Sequence, residues 1–137
     1  MEKEMLNLLS QFVSFETIEG NLNAKTECLD WVQTAFLGCS HSPVRSACGD
    51  APYLYLPCED AKLLWFAHID VVPASKEMFT VTVEGGRALG RGVKDMKGAA
   101  LPFLMAYRDS VKQGSSPAVS ILITSDEETA GDTIPTL

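Results

Sequence analysis

The stretch Lys62-Leu63-Leu64-Trp65-Phe66-Ala67-His68-Ile69-Asp70 decides how this chain is read. Its first six residues form a near-continuous apolar run, the pattern of a strand buried on both faces. The run then stops at an imidazole and, two residues on, a carboxylate. A second run of the same kind, Ala118 to Thr124 (AVSILIT), stops at Ser125-Asp126-Glu127-Glu128. In an open α/β sheet, ligands bind beyond the carboxyl ends of the strands. Two buried strands that each end in polar, ionisable groups therefore predict a site at one sheet edge.

Elsewhere the pattern is helical or short-stranded. Met5, Leu8, Leu9 and Phe12 recur at helical spacing, and Glu19-Gly20-Asn21 breaks that helix. Asn23 is the expected N-cap of a second helix burying Cys28, Val32, Ala35 and Phe36 and ending at Gly38. Pro52 to Leu56 reads as a strand. Phe79 to Glu84 alternates and predicts one wet face, with Gly85-Gly86 as a hairpin turn into Ala88-Leu89. A third helix is expected from Asp95 to about Lys112, kinked or delayed by Pro102. Pro135 marks a further connection. The order of helices and strands predicts an α/β layered fold with a central, mostly parallel sheet flanked by helices.

The chain has 137 residues, 46% hydrophobic and 21% charged, as expected of one globular domain. A net charge of -7 argues against a nucleic-acid or anionic-membrane binder, which would carry a basic stripe. The N-terminus lacks a basic start followed by an apolar run, so no signal peptide is read there. No apolar stretch reaches membrane-spanning length. Cys28, Cys39, Cys48 and Cys58 form no CxxC pair, which argues against a structural zinc cluster; their even spacing would allow a disulfide framework, but without a secretory signal free thiols in a reducing cytoplasm are the default.

Each chemical cluster has an ordinary alternative. His68 alone reads as a satisfied core histidine, but Asp70 at i+2 can accept from its second ring nitrogen and fix a metal-binding tautomer. Asp95 alone reads as a helix N-cap. Gly90, Gly92 and Gly98 around it instead suggest close backbone approach, where a carboxylate could bridge two cations. Glu127 and Glu128 end a buried strand, where acids repel unless something positive compensates. One can bind metal while the other stays free as a base. His41 reads as a surface residue. Arg87, Arg91, Lys94 and Lys97 read mostly as solvated charges, or as partners for a substrate carboxylate. The glycines from Gly85 to Gly92 lack the lysine and hydroxyl of a phosphate-binding loop, so a nucleotide site fails.

Taken in order, His68-Ile-Asp70-Val-Val-Pro73, Gly90-Arg91-Gly92-Val-Lys-Asp95-Met96-Lys97-Gly98 and Thr124-Ser125-Asp126-Glu127-Glu128 resemble a zinc-dependent family of amidohydrolases and exopeptidases. That family includes acetylornithine deacetylase, succinyl-diaminopimelate desuccinylase, aminoacylase and the glutamate-releasing carboxypeptidases. The spacings are 27 residues from His68 to Asp95 and 32 from Asp95 to Glu127, and the match runs from about Leu63 to Glu128. Met78-Phe79 stands where the family often has Trp, and Leu89 where it has an aromatic.

The resemblance implies a site of two zinc ions, with Co2+ or Mn2+ as alternatives. His68 would bind the first, Asp95 would bridge, and Glu128 would bind the second. Glu127 would be the general base, and Asp70 would orient His68. The implied substrate is a small peptide or N-acyl amino acid, with neither nucleic acid nor membrane as partner. Residues 1–137 would be the N-terminal part of the catalytic domain. A further acidic ligand shortly downstream, a second metal-binding His near the end of a much longer chain and the lid domain through which the parent would form a homodimer are expected outside them. The expectation is a fragment of a hydrolase that is inactive or nearly so. The alternative is a non-catalytic remnant or metal-binding interaction module of the same fold.

Overall fold

A computed structural model describes residues 2–38, 44–129, 131 and 133. Helix α1, Glu2–Ser14, buries Leu9, Phe12 and Val13, the face its periodicity predicts. Helix α2, Leu22–Val32, continues into a π-helical turn, Gln33–Leu37, that ends at Gly38. The cap is Asn21 and not Asn23: the Asn21 side chain accepts the Ala24 N–H at 3.2 Å. Of the predicted face, Cys28, Val32 and Phe36 are buried, while Ala35 is only half-buried. Helix α3, Lys97–Lys112, starts two residues after Asp95 and runs through Pro102 without delay. The Pro102 ring faces solvent, so its missing donor costs little packing.

Strands β1 (Val44–Cys48), β2 (Ala51–Leu56), β3 (Leu63–His68) and β6 (Val119–Thr124) form one sheet in the order β1-β2-β6-β3. The β3–β6 pair is parallel, and β2 joins β6 and β1 antiparallel. The α/β layering is thus as expected, with a mixed sheet whose parallel pair carries the predicted site. Strand β1 was not anticipated from sequence. Two short strands, β4 (Thr82–Glu84) and β5 (Arg87–Leu89), form a separate hairpin. Gly85 (φ +56°) and Gly86 (φ +77°) make its turn, where both central residues need positive φ.

The core lies on one face of the large sheet. Leu54, Leu56, Ile121, Ile123 and Ala67 point into it and meet α1, α2 and α3. Trp65 stacks on Phe103 of α3, centroids 4.0 Å apart. The opposite face carries Tyr55, Leu122 and Phe66 in one cross-strand row. Leu122 is buried between those two aromatic neighbours.

Two strand expectations are corrected. The β3 run is not buried on both faces, because β3 is the sheet edge; Leu63 and Leu64 are 58% and 55% exposed. Only central β6 is buried throughout. Phe79 belongs to a 3-10 turn, Lys76–Phe79, and β4 is exposed along its length instead of having one dry face. Cys28, Cys48 and Cys58 are thiols. Cys39, His41 and Pro135 lie outside the described residues.

Candidate metal centre

Parallel pairing sets His68 directly opposite Thr124, so both chains leave the sheet at the same edge. The pairing extends one step further, with Ile69 N–H donating to Thr124 O at 2.9 Å. Beyond that, Asp70 Oδ2 accepts the Glu128 N–H at 2.8 Å, joining the two strand ends. Ser125 donates to Pro52 O at 2.6 Å, and buried Asp126 accepts the Thr133 N–H and hydroxyl, each at 2.8 Å. With Ser125 and Asp126 held inward, Glu127 is left exposed and Glu128 half-buried at the rim. Asp126 is thus a structural anchor, a role its position in an acidic run does not reveal.

The third cluster arrives through the turn before α3. Gly98 packs so closely on the Val93 carbonyl that a Cβ would overlap it. A Cβ on Gly92, at φ +81°, would sit 2.8 Å from Val71 Cγ1. Gly92 thus brings the Asp95 loop against Val71 in the loop after β3, and Gly98 closes that loop on its own Val93, the close approach the glycines suggested. Asp95 does not cap α3: Met96 is the N-cap, and no side chain caps it. The Asp95 Oδ1 atom instead lies 3.2 Å from His68 Nε2.

The imidazole is the hub. His68 Nδ1 lies 3.1 Å from the Asp70 carbonyl and 3.4 Å from Asp70 Oδ1, and Nε2 lies 3.7 Å from Glu127 Oε2. One donor atom from each of His68, Glu127 and Glu128 lies within 4.8 Å of the others. Asp95 is outside that triple although it touches Nε2. All five predicted residues therefore meet at one edge. The His68 N–H also donates to Met96 Sδ at 3.4 Å, a contact no sequence signal announces.

Burial acts to lower the His68 pKa, but pairing with Asp70 and the Glu127 charge outweigh it and raise it to about 9. Burial acts to raise Asp70, yet the His68 interaction and the Glu128 and Glu127 backbone N–H groups hold it below the usual carboxylate range. Glu128 is pushed up by burial and then by the negative charges of Asp95, Glu127 and Asp70. Three carboxylates grouped around one imidazole make a strongly negative edge. Among the described residues no lysine or arginine ion-pairs with Asp95, Glu127 or Glu128. Nitrogen and carboxylate donors in such a field fit a zinc-class divalent cation.

Lys97 departs from its expected solvated state. It is fully buried, its Nζ donates to Phe15 O at 2.8 Å and lies 5.6 Å from the Phe12 ring centroid. Burial lowers its pKa to about 8.

Residues 64–135 match Peptidase family M20/M25/M40. Succinyl-diaminopimelate desuccinylase of Gluconobacter oxydans is 38% identical over 95 residues, covering 64% of this chain and 25% of that protein. The enzyme of that name from Phenylobacterium zucineum is 34% identical over 109 residues, covering 73% and 29%. The chain thus spans between a quarter and a third of these curated relatives. Human carnosine dipeptidase 1 shares the fold at a TM-score of 0.71 and 19% identity, over 96% of this chain and 33% of that one. An M20 family metallo-carboxypeptidase from Sulfolobus solfataricus does so at 0.69 and 22%, over 88% and 30%. The α/β fold and the family resemblance carried by the three clusters are both borne out. The chain belongs to Peptidase family M20/M25/M40.

Proposed function

We propose that this chain supplies part of the catalytic centre of a zinc-dependent hydrolase that cleaves an amide bond in a peptide or N-acyl amino acid. The observation that carries the reading is the meeting of His68, Asp95, Glu127 and Glu128 at one sheet edge, where among the described residues no lysine or arginine ion-pairs with the three acids.

Each residue has a role in this reading. His68, through Nε2, and Glu128 would each hold a zinc ion, and Asp95 would be a ligand shared between them. Zinc supplies Lewis acidity there, acidifying water and polarising the scissile carbonyl. Asp70 keeps the His68 ring oriented with Nδ1 towards Asp70, so that Nε2 faces the site. Glu127, half-exposed and 3.7 Å from the ring, takes the proton of the attacking water and passes it to the leaving amine. The family and the desuccinylase relatives support an amide substrate. Coverage of a quarter to a third of those relatives supports reading residues 1–137 as part of a larger catalytic domain.

A dinuclear zinc site needs several protein ligands per ion, and His68 is the one imidazole among the described donors. The 137-residue polypeptide by itself is therefore expected to bind zinc weakly and to hydrolyse little. Calorimetric zinc titration of wild type and Asp95→Ala tests the site: measurable binding that the substitution weakens is expected. Equal binding by the two would sink the shared-site reading. Strong, chelator-sensitive hydrolysis of N-acyl amino acids by this polypeptide would overturn the expectation of low activity.

A further inference from the structure

We propose that the segment Phe15–Thr17, just after α1, is a clasp that sets the distance between the His68–Asp70 loop and the Asp95 loop, with Thr17 and Lys97 as positioning residues. The proposal rests on the metal-site reading of those loops and adds a segment, Phe15–Thr17, outside the family-matched residues 64–135, gripped from within them by Lys97.

A continuous hydrogen-bonded path runs through this segment. Phe15 O accepts both Lys97 Nζ at 2.8 Å and the Thr17 N–H at 2.9 Å. The Thr17 hydroxyl donates to Ile69 O at 2.6 Å, and the Thr17 carbonyl accepts the Val71 N–H at 3.1 Å. Lys97 is two residues past Asp95, while Ile69 and Val71 flank Asp70. Thr17 thus grips both sides of Asp70, and Lys97 fixes the start of α3 to the same strand of backbone.

Chemistry suits the path to this task. Phe15 O lies just past the end of α1, at the negative end of the helix dipole, where an ammonium is favoured. Thr17 and Lys97 are both fully buried, so water cannot replace a lost partner without opening the core. The Phe12 ring and the packed Gly92 backbone confine the lysine stem. Ligands from separate loops must be held to about 0.5 Å to bind metal well, and α1 offers a rigid common reference.

The test uses the 137-residue chain, with Thr17→Val, Thr17→Ser and Lys97→Met beside wild type. Zinc is titrated, and amide hydrogen exchange is followed in metal-free protein. The clasp predicts about tenfold weaker zinc binding in Thr17→Val and Lys97→Met, with Thr17→Ser retaining wild-type affinity through its hydroxyl. It also predicts crossed effects: Lys97→Met speeds exchange at Ile69 and Val71, and Thr17→Val speeds it at Gly98 and Ala99. Effects confined to each variant's own contacts, or a lowered melting temperature with unchanged affinity, assign these residues to stability alone and overturn the proposal. Failure of Thr17→Val to fold does the same. A wild type that binds no zinc removes the metal reading only, because the metal-free exchange arm still decides the clasp.

Discussion

Asp70 Oδ2 accepts the backbone N–H of Glu128 at 2.8 Å, so the carboxylate beside His68 also holds the loop that carries the two glutamates. Orientation of the imidazole and placement of the acids are thereby coupled through one buried side chain. Asp70→Ala leaves the Glu128 N–H unpaired and is expected to cost about 1–3 kcal/mol in urea unfolding. Asp70→Asn keeps an acceptor for that N–H but removes the charge beside Nδ1. It should unfold less readily than Asp70→Ala, because the Glu128 N–H keeps its acceptor, yet bind zinc about tenfold more weakly than wild type. An Asn variant with unchanged zinc affinity would remove the orienting role.

The two glutamates are expected to separate in a zinc titration. Glu128→Ala should weaken binding about tenfold or more, as loss of a ligand does. Glu127→Gln keeps its shape and should bind zinc almost as wild type does, since its proposed task is proton transfer. Loss of zinc binding in Glu127→Gln would reassign it as a ligand, a role its place in the His68–Glu127–Glu128 triple allows.

Without metal, and against burial, the Asp70 and Glu127 carboxylates raise the His68 pKa from its ordinary 6.5 to about 9. The folded state therefore binds that proton more tightly than the unfolded chain. Its stabilising contribution is full below 6.5 and drains as pH rises through 9. Asp70 has the opposite sign: it is held below its ordinary 3.8, and its contribution is lost as pH falls through its folded value. Urea midpoints of metal-free wild type should fall between pH 6.5 and 9 relative to His68→Gln. A parallel decline in both proteins would show that the imidazolium contributes nothing.

Gly98→Ala should destabilise the fold through the Val93 carbonyl, which the new methyl would overlap. Backbone must move to relieve it, at about 1–3 kcal/mol by denaturant unfolding. The Asp95 loop moves with it, so zinc binding should weaken in the same variant. Wild-type stability in Gly98→Ala would show that the close approach is unimportant.

Edge and centre of the sheet should respond differently. Leu64→Lys on the exposed edge is expected to change stability by about 0.5 kcal/mol or less. Ile121→Ala in central β6, fully buried, should cost about 2–5 kcal/mol. Comparable losses at the two positions would mean that β3 is covered in solution.

Periodicity, strand-ending clusters and turn residues make much of this molecule legible in its sequence. The spacing of Met5, Leu8, Leu9 and Phe12 foretells α1, and the AVSILIT run foretells a strand buried throughout. Gly85-Gly86 foretells the hairpin, and the order of the His68, Asp95 and Glu127 clusters foretells the family. These signals are local or ordered along the chain, so a single sequence carries them.

Tertiary structure alone decided what depends on distant partners. KLLWFA and AVSILIT look alike, but only β6 has a strand on each side, so only β6 loses its solvent. Asn21 and Asn23 are equally good caps by type, and the backbone chose Asn21. Asp95 is spared from capping because it faces His68, 27 residues away in sequence. Lys97 is buried because α1 ends with a carbonyl in reach of its ammonium. A side-chain pattern reports which face an element prefers to hide; what covers that face, and which polar groups meet beyond it, is set by packing between segments far apart in the chain.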